Sequence, residues 1–198
     1  MIQKALVGFL VALVFVSGCI IGGGHEIEAR VNADNKKLAV IPFREKDLYF
    51  LESKHGADVA GLVVSAILKN ALNPKIVDPK KAFDMIRDVN PEKINWGDVA
   101  TVLEVDYLVV GSIGTFRARD PKRDVNCYRG EMRMDLEVWC PDNTFVLKEK
   151  VSAKHPSDRF DVPVLSTFDT TEEEVLGRLK WNIAKSIARF FFAYAPDD

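Results

Sequence analysis

The chain has 198 residues, of which 47% are hydrophobic and 28% charged, with a formal net charge of -2. Those fractions are ordinary for a globular domain with a real core. The near-balance of charge excludes the basic stripe that nucleic-acid binding requires, and there is no block of like charge that would act as an interaction tail.

Residues 1–18 carry one charge, Lys4, followed by an apolar run from Ala5 to Val16. A basic start, a short apolar run and small residues before a cleavage point make a secretory signal. About a dozen apolar residues fall short of the roughly 20 that span a bilayer as a helix. Val16-Ser17-Gly18-Cys19 then resembles the lipobox of bacterial lipoproteins, with valine where leucine is usual. Ser17 and Gly18 fit a peptidase pocket, and the Cys19 thiolate would carry diacylglycerol and become the first residue after cleavage. Several acyl chains on one residue anchor stably where a single chain does not. Ile20, in place of aspartate, leans towards the outer membrane. Cleavage removes one lysine and no acid, taking the net charge from -2 to -3.

Residues 19–36 read as the lipidated cysteine and a flexible tether, whose reach of about 20–25 Å keeps the domain close to the lipid. Gly22–Gly24 are no phosphate loop, since no strand precedes them and no Lys-Ser/Thr follows. The folded domain is expected over 37–194. Lys37–Phe43 is a short buried strand ended by Pro42. The loop from Arg44 to Ser53 holds Leu48-Tyr49-Phe50-Leu51, four large apolar residues among charges. They either fold back as a lid over the core or meet a partner through Tyr49 and Phe50.

A helix is expected from Ala57 to Leu72. Ala60, Val63, Val64, Ile67, Leu68 and Ala71 form one face, and Val59, Leu62 and Ala66 widen it beyond a normal stripe. Such a helix is covered on more than one side, by the domain itself or by a neighbouring subunit. Lys75–Asp78 reads as a strand punctuated by prolines, Pro79–Val89 and Trp96–Glu104 as helices, and Val105–Phe116 as an inner strand. Gly111 and Gly114 there mark bulges or close backbone approach. From Tyr128 to Trp139, Met132, Met134, Leu136 and Val138 alternate with Glu131, Arg133, Asp135 and Glu137, the pattern of a half-exposed strand. Pro141–Thr144 turns it into a hairpin returning over 145–153. The last helix starts near Thr170-Thr171, with glutamates at capping-box spacing. Val175, Leu179, Ile183 and Ile187 make its inner stripe; Trp181 and Phe192 lie on the outer side, either as ordinary exposed aromatics or as a contact patch.

Cys127 and Cys140 bracket the alternating strand, whose length of about 40 Å separates them far beyond the roughly 7 Å limit for a disulfide, so two separate thiols are expected unless a bulge at Gly130 folds the strand back. His25, His55 and His155 have no metal-ligand spacing. No Gly-x-Ser-x-Gly or Gly-x-x-x-x-Gly-Lys-Ser/Thr run occurs. The sequence therefore offers no catalytic residue, metal ligand or cofactor site, and the expectation is a non-enzyme.

The element order, alternating helices and strands and then a meander, gives an α/β single domain with a mixed sheet and helices on its faces. Lys-Leu-Ala-Val-Ile-Pro-Phe, the apolar helix, and Val-Ala-Thr-Val-Leu-Glu-Val-Asp-Tyr-Leu-Val-Val-Gly-Ser-Ile over 99–113 resemble a group of bacterial envelope proteins. The group includes the TolB amino-terminal domain, CsgG, LpoB and PelC. The resemblance spans about residues 37–192 and brings no catalytic residues. It implies a periplasm-facing assembly, export or activator role through protein contacts. Unlike CsgG, the chain has only a short polar loop, Arg117–Asn126, where membrane hairpins would insert. Unlike LpoB, it lacks a long tether. A membrane-proximal adaptor fits best, with a homo-oligomeric export ring as the alternative. In such a ring Tyr49 and Phe50 would sit in the channel-lining loop.

Overall fold

The computed structural model describes residues 26–46, 53–87, 89, 93–119, 128–155 and 171–196. In order, β1 is Lys37–Val40, β2 Arg44–Glu45, α1 Lys54–Asn70, β3 Lys75–Ile76, α2 Pro79–Ile86, α3 Trp96–Val102, β4 Tyr107–Arg119, β5 Tyr128–Trp139, β6 Phe145–His155 and α4 Glu172–Ala188. One mixed sheet runs β3-β1-β4-β5-β6, with β2 also on β4. β3, β1, β4 and β2 pair in parallel, while β4, β5 and β6 form an antiparallel meander. The α/β mixed sheet expected from the sequence is the observed fold.

Pro42 does not end the first strand so much as interrupt it. Val40 pairs with Val109 and Arg44 with Ser112, so the chain rejoins the same edge of β4 three residues beyond the break. A proline has no N–H for the ladder, and the segment from Ile41 to Phe43 steps across it. Arg44 and Glu45, expected in a loop, are therefore strand, and so are Arg117–Arg119.

The continuous apolar runs in β1 and β4 follow from burial on both faces. Leu38, Val40 and Val109 point into one core, with α1 and α4; Ala39, Ile41, Leu108 and Val110 point into a second, with α2 and α3. The sheet is thus the middle of three layers. Past Ser112 the second helical layer stops, and the outer side of β5 becomes a charged face. Asp135 stands opposite Lys150 and Glu137 opposite Lys148, opposite-charge pairs of the kind that stabilise a solvated sheet. Glu131 on this face is only 9% exposed. Its carboxylate accepts from Arg133 Nε at 2.8 Å and Arg117 Nη2 at 2.9 Å, and those guanidiniums, Arg133 first, hold its pKa below the usual glutamate value.

Both glycines singled out in β4 have structural reasons. A Cβ on Gly111 would lie 2.7 Å from the Asp135 carbonyl oxygen and 3.1 Å from the Phe43 ring. Gly114 sits where the β4–β5 register shifts between Ile113 and Thr115, a bulge.

The tether expected over 19–36 needs correction. Ile27 exchanges two backbone hydrogen bonds with Tyr194, the Val31 N–H donates to Phe190 O at 2.8 Å, and the Ala33 N–H donates to Phe191 O at 3.1 Å. Val31 and Ala33 are buried in the main core. Residues 27–36 are a docked belt, not a tether. The alternation Ile27, Ala29, Val31, Ala33 between Glu26, Glu28, Arg30 and Asn32 is the signal for it.

Candidate functional site

α4 starts where the sequence places it. Thr171 Oγ1 accepts the Glu174 N–H at 3.2 Å, and Glu172–Glu174 supply the negative charge that suits a helix amino terminus. Its inner face buries Val175, Leu179, Ile183 and Ile187 against the sheet. α1 packs beside it, capped by Ser53. Lys180 Nζ meets Asp58 Oδ2 at 2.6 Å and bridges the first half of α1 to the middle of α4.

Towards their carboxy-terminal ends the helices leave a groove of about 530 Å³ between them. Leu62 and Ala66 of α1 and Trp181 and Ala184 of α4 line it, and Phe192 and Tyr194 close its end. Trp181 remains 55% exposed. Three cations, Lys69, Lys185 and Arg189, are among the lining residues, and no carboxylate is among the described ones. Arg189 lies over the Tyr194 ring at 4.6 Å, a cation–π contact.

The structure thus brings Trp181 and Phe192 to one groove, though not along one helix as their spacing suggested. α4 ends at Ala188, the Arg189 and Phe190 N–H groups cap its last carbonyls, and the chain turns to carry Phe192 back towards Trp181. Tyr49 and Phe50 lie outside the described residues, as do Cys19, His25 and Cys127. Cys140 is a free, half-buried thiol whose pKa is raised by burial first and by Asp142 and Asp106 next.

Within the chain α1 is covered by the sheet and by α4. Val59, Ala60, Val63 and Ile67 are buried and Leu62, Val64 and Ala66 partly so, while Leu68 is 52% exposed and Leu72, just past the helix, 60%. Leu62 and Ala66 face the groove. His55 is the second residue of α1 rather than ahead of it, and stacks edge-on against Phe116 at 4.8 Å. Among the described residues no group of three or more His, Cys, Asp or Glu could hold a metal ion, and no helix is long and apolar enough to cross a membrane.

His155, at the end of β6, has its pKa lowered, by burial first and then by the Arg178 charge, against the opposing pull of Glu174. The fold therefore favours neutral imidazole, while the unfolded chain takes up a proton near the ordinary value of about 6.5. The stabilisation is whole above that value and is lost as pH falls below it. Urea midpoints measured on either side should drop on acidification, with a smaller drop in His155→Gln. Equal drops in the two proteins would remove His155 as the source.

No protein-family model matches the chain, and no curated protein matches it. Among solved structures it is similar to protein XCC0632 from Xanthomonas campestris, at 9% identity and TM-score 0.52, over 82% of this chain and 86% of that one. It is also similar to a PelC dodecamer from Paraburkholderia phytofirmans, at 12% identity and TM-score 0.49, over 84% and 96%. A third is lipoprotein GNA1162 from Neisseria meningitidis, at 6% identity and TM-score 0.47, over 77% and 96%. The likeness to XCC0632 establishes a shared fold, a mixed α/β sheet with helices on its faces, and at this identity the fold alone.

Proposed function

We propose that this chain is a lipoprotein of a bacterial cell envelope, anchored through diacylglycerol on Cys19, facing the periplasm and serving as a non-enzymatic adaptor or activator of an envelope assembly. The observation that carries the reading is the lipobox, Val16–Cys19, whose cysteine stands eight residues ahead of Ile27, the first described residue paired with the domain. So short a connection holds the domain at the membrane surface, where a partner in the same membrane meets it. In this reading Tyr49 and Phe50, between β2 and α1 in the chain, meet that partner. Ile20 supports placement in the outer membrane.

A second reading, a ring-forming subunit of an export system, is favoured by Leu68 and Leu72, large apolar side chains left exposed on and beside α1. Light scattering of the acylated protein in mild detergent separates the two. A mass of one chain, with an envelope protein captured by wild type and lost from Tyr49→Ala/Phe50→Ala, is the expected result. A closed multimer of defined size would replace the adaptor with the ring. Recovery of one chain whose captured partners are all retained by Trp181→Ala and by Tyr49→Ala/Phe50→Ala would sink the adaptor.

A further inference from the structure

We propose that the groove between the carboxy-terminal halves of α1 and α4 seats the domain on an anionic phospholipid surface. Trp181 and Phe192 would lie at the acyl boundary, with Lys69, Lys185 and Arg189 against headgroup phosphates. The proposal rests on the reading of Cys19 as the lipidated residue and goes beyond it, by assigning which face of the domain meets the lipid.

The covalent path is the first reason. Ile27 is paired in both directions with Tyr194, and Tyr194 lines the groove. Ile27 stands eight residues after Cys19. Even fully extended, that stretch covers at most about 28 Å, and as a flexible chain roughly 15 Å. Acyl chains on Cys19 therefore enter the bilayer close to the groove's Tyr194 end. The α2 and α3 layer lies across the sheet from this point. Because residues 27–33 are held along 190–194 rather than hanging loose, the domain cannot turn freely about a long leash. The groove is the surface the anchor is attached beside.

Chemical complementarity is the second. The lining is mostly apolar, with Ser65 and Asn70 among it, it carries three cations and, among the described residues, no carboxylate, and an indole is left more than half exposed. Apolar faces rimmed by Lys and Arg lie in the interfacial plane of anionic membranes, basic residues near such a surface are drawn to its charge, and tryptophan prefers the interface. A protein partner would equally value the aromatic anchor, but the uniform sign of the rim matches phosphates on a surface already tethered within reach.

The acylated full chain, reconstituted into vesicles of phosphatidylcholine alone or mixed with phosphatidylglycerol, provides the test. Some of the lipids would be brominated on the acyl carbons nearest the headgroup. The chain has three tryptophans; Trp96 and Trp139 pack against the second core, across the sheet. We expect bromolipid to quench a component of the emission that Trp181→Phe removes, more strongly with phosphatidylglycerol present. The Lys69→Glu/Lys185→Glu/Arg189→Glu variant should lose that dependence on anionic lipid. Chain that stays on the vesicles with Trp181 unquenched overturns the groove while leaving the anchor intact. Chain that leaves the vesicles overturns both. Unquenched Trp181 together with chain-to-chain cross-links from position 181 would seat a second copy there instead, and also overturns the proposal.

Discussion

Replacing Gly56 by alanine should cost this domain a large part of its stability. Gly56 is the third residue of α1, and a Cβ added there would lie 1.6 Å from the Phe43 carbonyl oxygen, 2.6 Å from the Phe43 carbonyl carbon and 2.4 Å from Ser53 Oγ. Two of those three atoms are backbone, and they are held. The Phe43 carbonyl accepts the Ser53 O–H at 2.8 Å, the Phe43 N–H donates to Gly56 O at 3.3 Å, and Ser53 Oγ accepts the Gly56 N–H at 3.1 Å. Phe43 is fully buried. Relief requires α1 to move off the sheet, which would open the contacts of Val59, Ala60, Val63 and Ile67. The expected loss is about 4 kcal/mol or more, against a total of roughly 5–15 kcal/mol. For a domain of this size that lowers the thermal midpoint by about 8–16 °C. Gly61 on the same helix is the control, since a Cβ there meets nothing within 4 Å. Gly61→Ala should stabilise by about 0.5–1 kcal/mol through lost unfolded-state entropy. Circular-dichroism melts of the two variants decide it. Equal midpoints for Gly56→Ala and wild type would show that α1 is not locked onto Phe43 in this way.

Cys19→Ala should abolish lipid attachment and maturation. Acyl chains contribute about 0.8 kcal/mol per buried methylene, and stable anchoring takes more than one of them. Cys19 is the one residue in the signal region with a thiol to carry them. Among the described residues no helix offers a second means of crossing the bilayer. In cells fed a labelled fatty acid, wild type should carry label and run as the cleaved form. The variant should carry none and accumulate as the longer precursor. Unchanged label and unchanged processing would end the lipoprotein reading, and with it the membrane-proximal role built on it.

The helices and strands show where a sequence speaks and where it does not. β5 runs over 128–139 as its alternation dictates, because side chains two apart share a face whatever the rest of the fold does. α4 begins at its Thr171 cap for an equally local reason. The belt has an equally legible period of two over 27–33, although the glycines before it and its charged neighbours also fit a tether. β2 had no local signal. Two residues, Arg44 and Glu45, are strand only because β4 extends far enough to receive them after Pro42.

Of the candidate site, the residue types could be named from the chain and their meeting could not. Trp181 belongs to a helix and Phe192 to the turn after it. They share a groove because α4 stops at Ala188 and the 190–194 segment is pinned by backbone hydrogen bonds to residues 27–33. The sequence by itself determined the layered α/β class, through hydrophobic periods that local geometry imposes, and the expectation of an anchor at Cys19, through a motif read residue by residue. Only tertiary structure decided which segment the 27–33 belt lies along, which glycines cannot change, and which cations gather at the groove. Those depend on contacts between segments far apart in the chain, and no local period records them.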